Sequence, residues 1–378
     1  MAIYGFNFPT PIRFGPGARK EVAPHLVAQG LSRPLVVTDK GVSQQAFFTD
    51  FIAELKAQGL EPAVFDGIFG NPVKSQVLAG AEAFRAAEAD CMIGIGGGAA
   101  LDVAKAIGVC IHHREDLFAY EDRPGALVID QPIPYWVALP TTAGTGSEVG
   151  RSAVISDDTT HHKKIIFAPS LLARQVFADP ELTLGLPPHL TAATGMDALT
   201  HLVEAFLAQG YHPICDGIAL EGMRLVQASL VRAVQEPGNL QARADMLLAS
   251  MMGAIAFQKG LGVVHSCAHA LSTVADLHHG LANGIMISHA LPFNAETEPE
   301  RFERMAANLG LAPSVEAWFH WLNALRAEIG MPHRLGDVKV GPEHLQALVE
   351  VALADACHAS NPRPCSREDF VNIFQGAF

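Results

Sequence analysis

The first half of the chain alternates two apolar rhythms. Continuous apolar runs at residues 34–38, 62–65, 91–95 and 135–139 predict short buried strands. Between them, apolar positions three and four apart predict helices over 47–58, 77–89 and 100–109. Strands alternating with helices build βαβ units and a mostly parallel sheet. Beyond Leu186 the pattern changes: Pro187-Pro188 interrupts the chain, β-branched runs thin out, and long helices are predicted over 190–208, 214–234, 240–257 and 263–275. The pattern therefore predicts α/β plus all-α architecture, with an α/β domain over 1–185 and a helical domain over 186–378. No internal repeat or low-complexity linker interrupts it, and the polar stretch 157–164 reads as a solvated loop.

Composition narrows the function classes. Of 378 residues, 49% are apolar and 17% charged, which supports a large core and argues against disorder. Lys and Arg number 26 against 39 Asp and Glu, a net charge of −13. That balance weighs against nucleic acid and against an anionic membrane surface as partners. The six cysteines show no CxxC spacing, so neither a zinc ribbon nor a thioredoxin-type pair is indicated, and reduced thiols in a cytoplasmic protein are expected. Residues 1–9 lack a basic segment followed by an apolar one, so no signal peptide is expected. No apolar run reaches the ~18 residues of a membrane span.

Two small-residue loops follow predicted strands. Gly94-Ile95-Gly96-Gly97-Gly98-Ala99-Ala100-Leu101-Asp102 lies where a strand gives way to a helix, and backbone amides at a helix N-terminus suit a pyrophosphate. It matches GxGxxA poorly, falling in the third strand–helix step without a well-placed acidic residue about 20 positions on. The loop thus reads either as a tight turn or as a phosphate cradle. Pro140-Thr141-Thr142-Ala143-Gly144-Thr145-Gly146-Ser147-Glu148 follows another strand, and its hydroxyls suit phosphate oxygens. Ligands of open α/β sheets sit at the carboxyl ends of strands, so two such loops reinforce one another. Asp39, ending the first predicted strand, is either a helix cap or a ribose acceptor that favours NAD over NADP.

The helical half carries a histidine constellation. Asp197 and His201, and again His265 and His269, are four apart and so share a helix face. His278-His279-Gly280 follows within ten residues. A carboxylate buried among apolar neighbours needs a positive partner, which a divalent cation supplies. Imidazoles with one carboxylate suit Fe(II), Zn(II), Mn(II) or Co(II), and an open position would allow Lewis-acid catalysis. HExxH is absent, so a zinc-peptidase reading has no support.

Together these segments resemble the iron-dependent alcohol dehydrogenase family, whose members include lactaldehyde reductase, 1,3-propanediol dehydrogenase and 4-hydroxybutyrate dehydrogenase. The resemblance runs from Phe14-Gly15-Pro16-Gly17 through Thr38-Asp39-Lys40, Asn71-Pro72 and both small-residue loops. It continues through Asp179-Pro180-Glu181-Leu182-Thr183, the segment from Thr194 to His201, the histidine segments and Asn361-Pro362-Arg363. It implies a dehydroquinate synthase-like fold: an N-terminal dinucleotide-binding α/β domain and a C-terminal all-helical metal-binding and substrate domain. By position, it implies metal ligands at Asp197, His201, His265 and His279, with His269 near the nicotinamide. It implies nucleotide contacts at Asp39, Asn71, Gly97, Gly98, Asp102, Thr141, Thr142, Thr145, Lys163 and Leu182, and a pocket position at Cys357. Ala99 stands where the family usually has Ser, a lost hydroxyl contact worth about 0.5–1.5 kcal/mol. Gly150 stands where Thr is frequent, and His278 is an adjacent imidazole that would compete for the metal.

The expected activity is interconversion of a small primary alcohol and its aldehyde with NAD and Fe(II), Zn(II) and Mn(II) being the alternative metals. His269 is expected to relay the proton. Segments 148–151 and 256–262 look most like the 4-hydroxybutyrate dehydrogenase branch; Arg151 or Lys259 reads either as the partner of an anionic tail such as a carboxylate or sulfonate or as an ordinary surface ion pair, and substrates lacking an acid group stay equally open. Homodimers or larger assemblies are implied. Two alternatives stay open: a zinc-dependent polyol-phosphate dehydrogenase or sugar-phosphate cyclase of the related superfamily, and a non-enzymatic metal- or nucleotide-binding protein.

Overall fold

Six short strands pair into one parallel sheet in the first structural unit. The computed structural model describes Phe8 and residues 10–378; apart from Phe8, the N-terminal segment read above for a signal peptide lies outside the described residues. This unit comprises Phe8–Thr142 and Gly146–Gly185. Its elements run β1 (Ile12–Phe14), α1 (Val22–Ala28), β2 (Pro34–Asp39), α2 (Lys40–Ser43), α3 (Ala46–Ala57), β3 (Ala63–Ile68), α4 (Lys74–Ala86), β4 (Cys91–Gly96) and α5 (Gly98–His112). They continue with β5 (Tyr135–Pro140), β6 (Ser152–Ser156), β7 (Lys163–Phe167) and β8 (Gln175–Ala178).

The strand order is β1-β8-β5-β4-β2-β3, and every pairing is parallel. Central strand β4 is buried at every position, which is why its sequence is a continuous apolar run rather than an alternating one. Val36, Ile93, Ile95, Val137 and Leu139 pack with Leu26 of α1 and Phe51 and Leu55 of α3. The chain steps outward from β2 to β3, then returns to β4 on the other side of β2. The switch point between β2 and β4 is where an open α/β sheet leaves a crevice at its carboxyl edge. Strands β6 and β7 form a separate antiparallel hairpin. Most of the polar stretch expected as a loop is its turn, stiffened by Asp157 Oδ1, which accepts from the amides of Thr159 and Thr160.

The second unit comprises Leu186–Phe378 with Ala143–Thr145. Its helices are α6 (Pro188–Leu207), α7 (Pro213–Gln235), α8 (Leu240–Ala256), α9 (Val263–Ala275), α10 (His279–Ala295), α11 (Pro299–Asn308), α12 (Val315–Glu328), α13 (Leu345–Ala354) and α14 (Arg367–Ala377). Helix α6 packs against α7, α8 and α10. It is buried almost continuously from Thr191 to Leu207, so polar residues on it are held in a dry interior. No single helix among the described residues is long and apolar enough to cross a membrane. Among the described residues, which include all six cysteines, no disulfide is formed.

Candidate functional site

Three helices of the second unit converge on one carboxylate. Asp197 and His201 lie one turn apart on α6, His265 lies in the first turn of α9, and His279 opens α10. One ligand atom from each of the four lies within 4.8 Å of those of the others. The three rings approach Asp197 Oδ1 with Nε2, at 4.0 Å from His201, 4.0 Å from His265 and 3.3 Å from His279. Asp197 and His201 are buried. Burial pushes the His201 ring down to about 4, against the pull of Asp197, so it is neutral at neutral pH.

The local backbone explains the convergence. A Cβ at Gly280 would stand 2.4 Å from the Ala193 carbonyl oxygen, so glycine lets α10 start directly against α6. His278 is the N-cap of α10, its Nδ1 accepting from the Leu281 amide at 3.4 Å. It is not in the four-residue group.

His269, one turn after His265 on α9, stays outside the ligand set. Its ring stacks on His279 with centroids 5.2 Å apart, while its Nδ1 is 2.7 Å from Asp355 Oδ2. Cys357 Sγ lies 3.9 Å from the same nitrogen. His269, Asp355 and Cys357 also lie close enough to suggest a metal site. The 2.7 Å contact between His269 and Asp355 is a hydrogen bond, whereas two ligands of one ion generally stand roughly 3 Å or more apart.

Three polar residues of this region carried no sequence prediction. Glu204 Oε2 lies 2.6 Å from His265 Nδ1. Asn283 Nδ2 donates to Asp197 Oδ1 at 2.7 Å. Asp355 accepts from Ser266 Oγ at 2.8 Å and from the Cys357 amide at 2.8 Å. Of the three, Glu204 left a legible trace: it follows Asp197 by seven positions and so lies on the same face of α6.

In the sheet unit, Asp39, Gly97, Gly98, Thr141 and Thr142 lie at the carboxyl ends of β2, β4 and β5. Helix α5 begins at Gly98 with N-cap Gly97, which supplies no side-chain cap. The first-turn amides of a helix lack intrahelical acceptors and favour an anion. Gly96 has φ +156, and a Cβ there would meet Ala100 Cβ at 2.6 Å and Asp39 Oδ2 at 3.2 Å. A Cβ at Gly97 would meet Thr142 at 3.3 Å, and the Thr141 amide donates to the Gly96 carbonyl at 3.0 Å. Asp39 caps α2 through Oδ1, accepting from Gly41 at 2.8 Å and Val42 at 2.9 Å, while Oδ2 faces the glycine loop. Ala99 occupies the first turn of α5, Asn71 the connection from β3 to α4, Lys163 the start of β7, and Thr145 the segment grouped with the helical unit.

Several expected contacts are already engaged within the fold. Asp102 Oδ1 accepts from Ser147 Oγ at 2.6 Å, and Oδ2 from the Val154 amide at 3.0 Å. Its carboxylate ties α5 to β6 and to the residues just before it. Beside it, buried Lys105 donates to Ser147 Oγ and the Ser152 carbonyl, each at 2.7 Å. The side chain of Leu182 is buried in the core of the sheet unit. The Lys259 side chain is 1% exposed, and Nζ is 2.5 Å from Asp216 Oδ1 and 2.9 Å from the Phe206 carbonyl. Its ammonium is thus already engaged within the helical unit. Arg151 instead lies over the Phe167 ring, 5.7 Å from its centroid, and makes no ion pair among the described residues.

Comparison with known proteins gives one consistent answer. The family model described as iron-containing alcohol dehydrogenase matches residues 9–180, and the C-terminal model of the Fe-containing alcohol dehydrogenase family matches 191–378. A 4-hydroxybutyrate dehydrogenase of Cupriavidus necator is 38% identical over 358 residues, covering 92% of each chain. The crystal structure of a 1,3-propanediol oxidoreductase superposes with a TM-score of 0.95 at 35% identity, covering both chains completely. A sulfoacetaldehyde reductase from Bifidobacterium kashiwanohense, solved in complex with NAD+, gives a TM-score of 0.90 at 29% identity. It matches all of this chain and 99% of its own.

Proposed function

The chain belongs to the iron-containing alcohol dehydrogenase family, and from that premise we propose how its own residues carry the alcohol–aldehyde oxidoreductase activity. A divalent metal is assigned to Asp197, His201, His265 and His279, with Fe(II) as the resident ion and Zn(II) or Mn(II) as alternatives. The observation that carries this reading is the convergence of four ligand atoms in a buried setting. Asp197 there has no Lys or Arg partner among the described residues, and His201 is held neutral. That donor set fits a borderline cation. When bound, the metal supplies Lewis-acid polarisation of the substrate oxygen, and NAD supplies the hydride acceptor or donor.

The remaining chemistry falls to side chains. His269 holds or releases a proton at Nε2, because Asp355 occupies Nδ1. The uncapped start of α5 and the Thr141-Thr142 loop receive the pyrophosphate. Asp39 Oδ2 accepts from the ribose, and its charge disfavours a 2′-phosphate. The small primary alcohol is assigned an anionic tail, an ω-hydroxy acid paired with its semialdehyde, because Arg151 makes no ion pair among the described residues while Lys259 is already engaged.

The test is anaerobic. Metal-stripped protein is reconstituted separately with Fe(II), Zn(II) and Mn(II), and NADH oxidation is followed with succinate semialdehyde and butyraldehyde. Activity with one metal and a higher kcat/KM for the acid, lost in Arg151→Ala, is expected. Tight metal binding without turnover of any aldehyde would overturn the proposed catalytic roles. Equal use of the two aldehydes would overturn the anionic tail alone.

A further inference from the structure

Helix α9 delivers His265 to the site, yet it starts without a cap of its own. Its N-cap is Gly262, where a Cβ would stand 2.7 Å from both Asn361 Oδ1 and Glu204 Oε1. Those two side chains do the capping. Asn361 Oδ1 accepts from the Val263 amide at 3.2 Å, Glu204 Oε1 from the Val264 amide at 2.7 Å, and Glu204 Oε2 from the His265 amide at 3.2 Å. The same Oε2 is 2.6 Å from His265 Nδ1. Both residues of this pair are 1% exposed in their side chains.

We propose that Glu204 is the positioning residue that fixes His265 as its Nδ1–H tautomer, turning the Nε2 lone pair toward the metal and thereby setting the site's affinity. This rests on the metal assignment made above. Each Glu204 oxygen already accepts a backbone amide, so the carboxylate acts as acceptor and the shared proton sits on Nδ1. The opposite end of the ring agrees. The Asn283 atom 2.7 Å from Asp197 Oδ1 is its amide nitrogen, because a carboxylate oxygen only accepts. That nitrogen is 3.4 Å from His265 Nε2 and 3.2 Å from His279 Nε2, so an N–H donor faces both. Capping and tautomer choice are thus one device: the carboxylate that orients the start of α9 also orients the ring that α9 carries. A carboxylate behind a ligating imidazole strengthens its donor atom.

Two measurements test this. In metal-free wild-type protein, 15N-histidine NMR, with the ring assigned through His265→Gln, is expected to show His265 protonated at Nδ1 and not at Nε2. A proton on Nε2 overturns the proposal whether or not any variant folds. In Glu204→Gln, the new amide must use its oxygen for the backbone and present NH2 to Nδ1, which drives the ring proton to Nε2. Zn(II) affinity, read by chelator competition, is then expected to fall about 10- to 100-fold. Asn361→Ala removes the cap on the Val263 amide together with the bonds of Asn361 to Asn294 and the Arg363 carbonyl, none of which touches the His265 ring, so it should lower the melting temperature while leaving Zn(II) affinity within about threefold. A Glu204→Gln protein that binds Zn(II) like wild type and merely melts earlier would reduce Glu204 to a cap and overturn the proposal. Wild-type protein that binds no divalent metal would instead sink the metal assignment, and the tautomer measurement would still decide the role of Glu204.

Discussion

Asp355 Oδ2 and His269 Nδ1 are 2.7 Å apart although 86 positions separate the residues in the chain. Burial opposes ionisation of Asp355. The charge interaction and hydrogen bond with His269, with bonds from the Cys357 amide and Ser266, outweigh it and hold the carboxyl well below its usual range. The carboxylate is therefore a fixed acceptor, and Nε2 is the ring atom left to exchange a proton. His269→Ala is expected to lower kcat about 100-fold, with metal content unchanged and the pH profile flattened. Asp355→Asn keeps the ring but loosens its orientation, so a smaller loss of roughly tenfold is expected. Steady-state kcat across pH, with metal analysis of the same samples, checks both. Loss of metal in Asp355→Asn would show that the pair supports the ligands rather than the proton.

Lys259 and Asp216 form a different kind of pair. With the ammonium 2.5 Å from the carboxylate and 1% exposed, its desolvation is offset chiefly by Asp216 and the Phe206 carbonyl. Removing Asp216 strands a buried charge, and Asp216→Asn is expected to lose about 3–5 kcal/mol of stability. Lys259→Met keeps the stem volume and removes the charge, so it should be milder. Aldehyde selectivity, measured as the ratio of kcat/KM for succinate semialdehyde and butyraldehyde, should not move in Lys259→Met. A collapse of that ratio would return Lys259 to the substrate.

These two pairs mark what the sequence makes legible and what it hides. Strand β4 and its glycine loop are visible because a buried parallel strand is continuously apolar and ends where small residues begin. Asp197 with His201, and His265 with His269, are visible because helical spacing places each pair on one face. For residues that act across the chain, even where helical spacing betrays the face, the distant partner leaves no such mark. Glu204 meets His265 from 61 positions away, and Asp216 meets Lys259 from 43. A lone lysine in an apolar segment therefore looks the same whether it awaits an anion or already has one. Strands β1 and β8, with three and four residues, are too short to show a period, and their register is set by each other: Ile12 pairs with Val176.

Gly280 shows how close packing sets the metal site. Its missing Cβ is what lets α10 begin 2.4 Å, measured from that absent atom, from the Ala193 carbonyl oxygen. Backbone cannot yield as a flexible side chain can, so Gly280→Ala pushes α10 away from α6 and carries His279 away from Asp197. A loss of about 1–3 kcal/mol is expected, together with weaker Zn(II) binding. Gly217 lies inside α7, and a Cβ added there would meet nothing within 4 Å, so Gly217→Ala should instead gain about 0.5–1 kcal/mol. Thermal melts with and without Zn(II) separate the two: added metal should raise the melting temperature of Gly217→Ala as in wild type, and that of Gly280→Ala by less.

Glu148 gives the sheet unit a pH dependence whose direction follows from its burial. Burial raises its carboxyl from 4.5 to about 7, while its own backbone amide and Lys105 pull the other way. The unfolded chain releases this proton near pH 4.5, whereas the folded chain holds it to about pH 7. Within that window unfolding releases a proton, so stability falls as pH rises, and the loss is complete above the folded value. At about 1.36 kcal/mol per unit, the shift amounts to about 3 kcal/mol. Glu148→Gln is neutral throughout and lacks this loss, while Lys105 keeps Ser147, the Ser152 carbonyl and Asp102 as partners. The melting temperature of Glu148→Gln relative to wild type is therefore expected to rise by a few degrees between pH 5 and pH 8. A difference that stays constant across that range would mean that Glu148 is already ionised in the fold at pH 5, with Lys105 as its counter-charge.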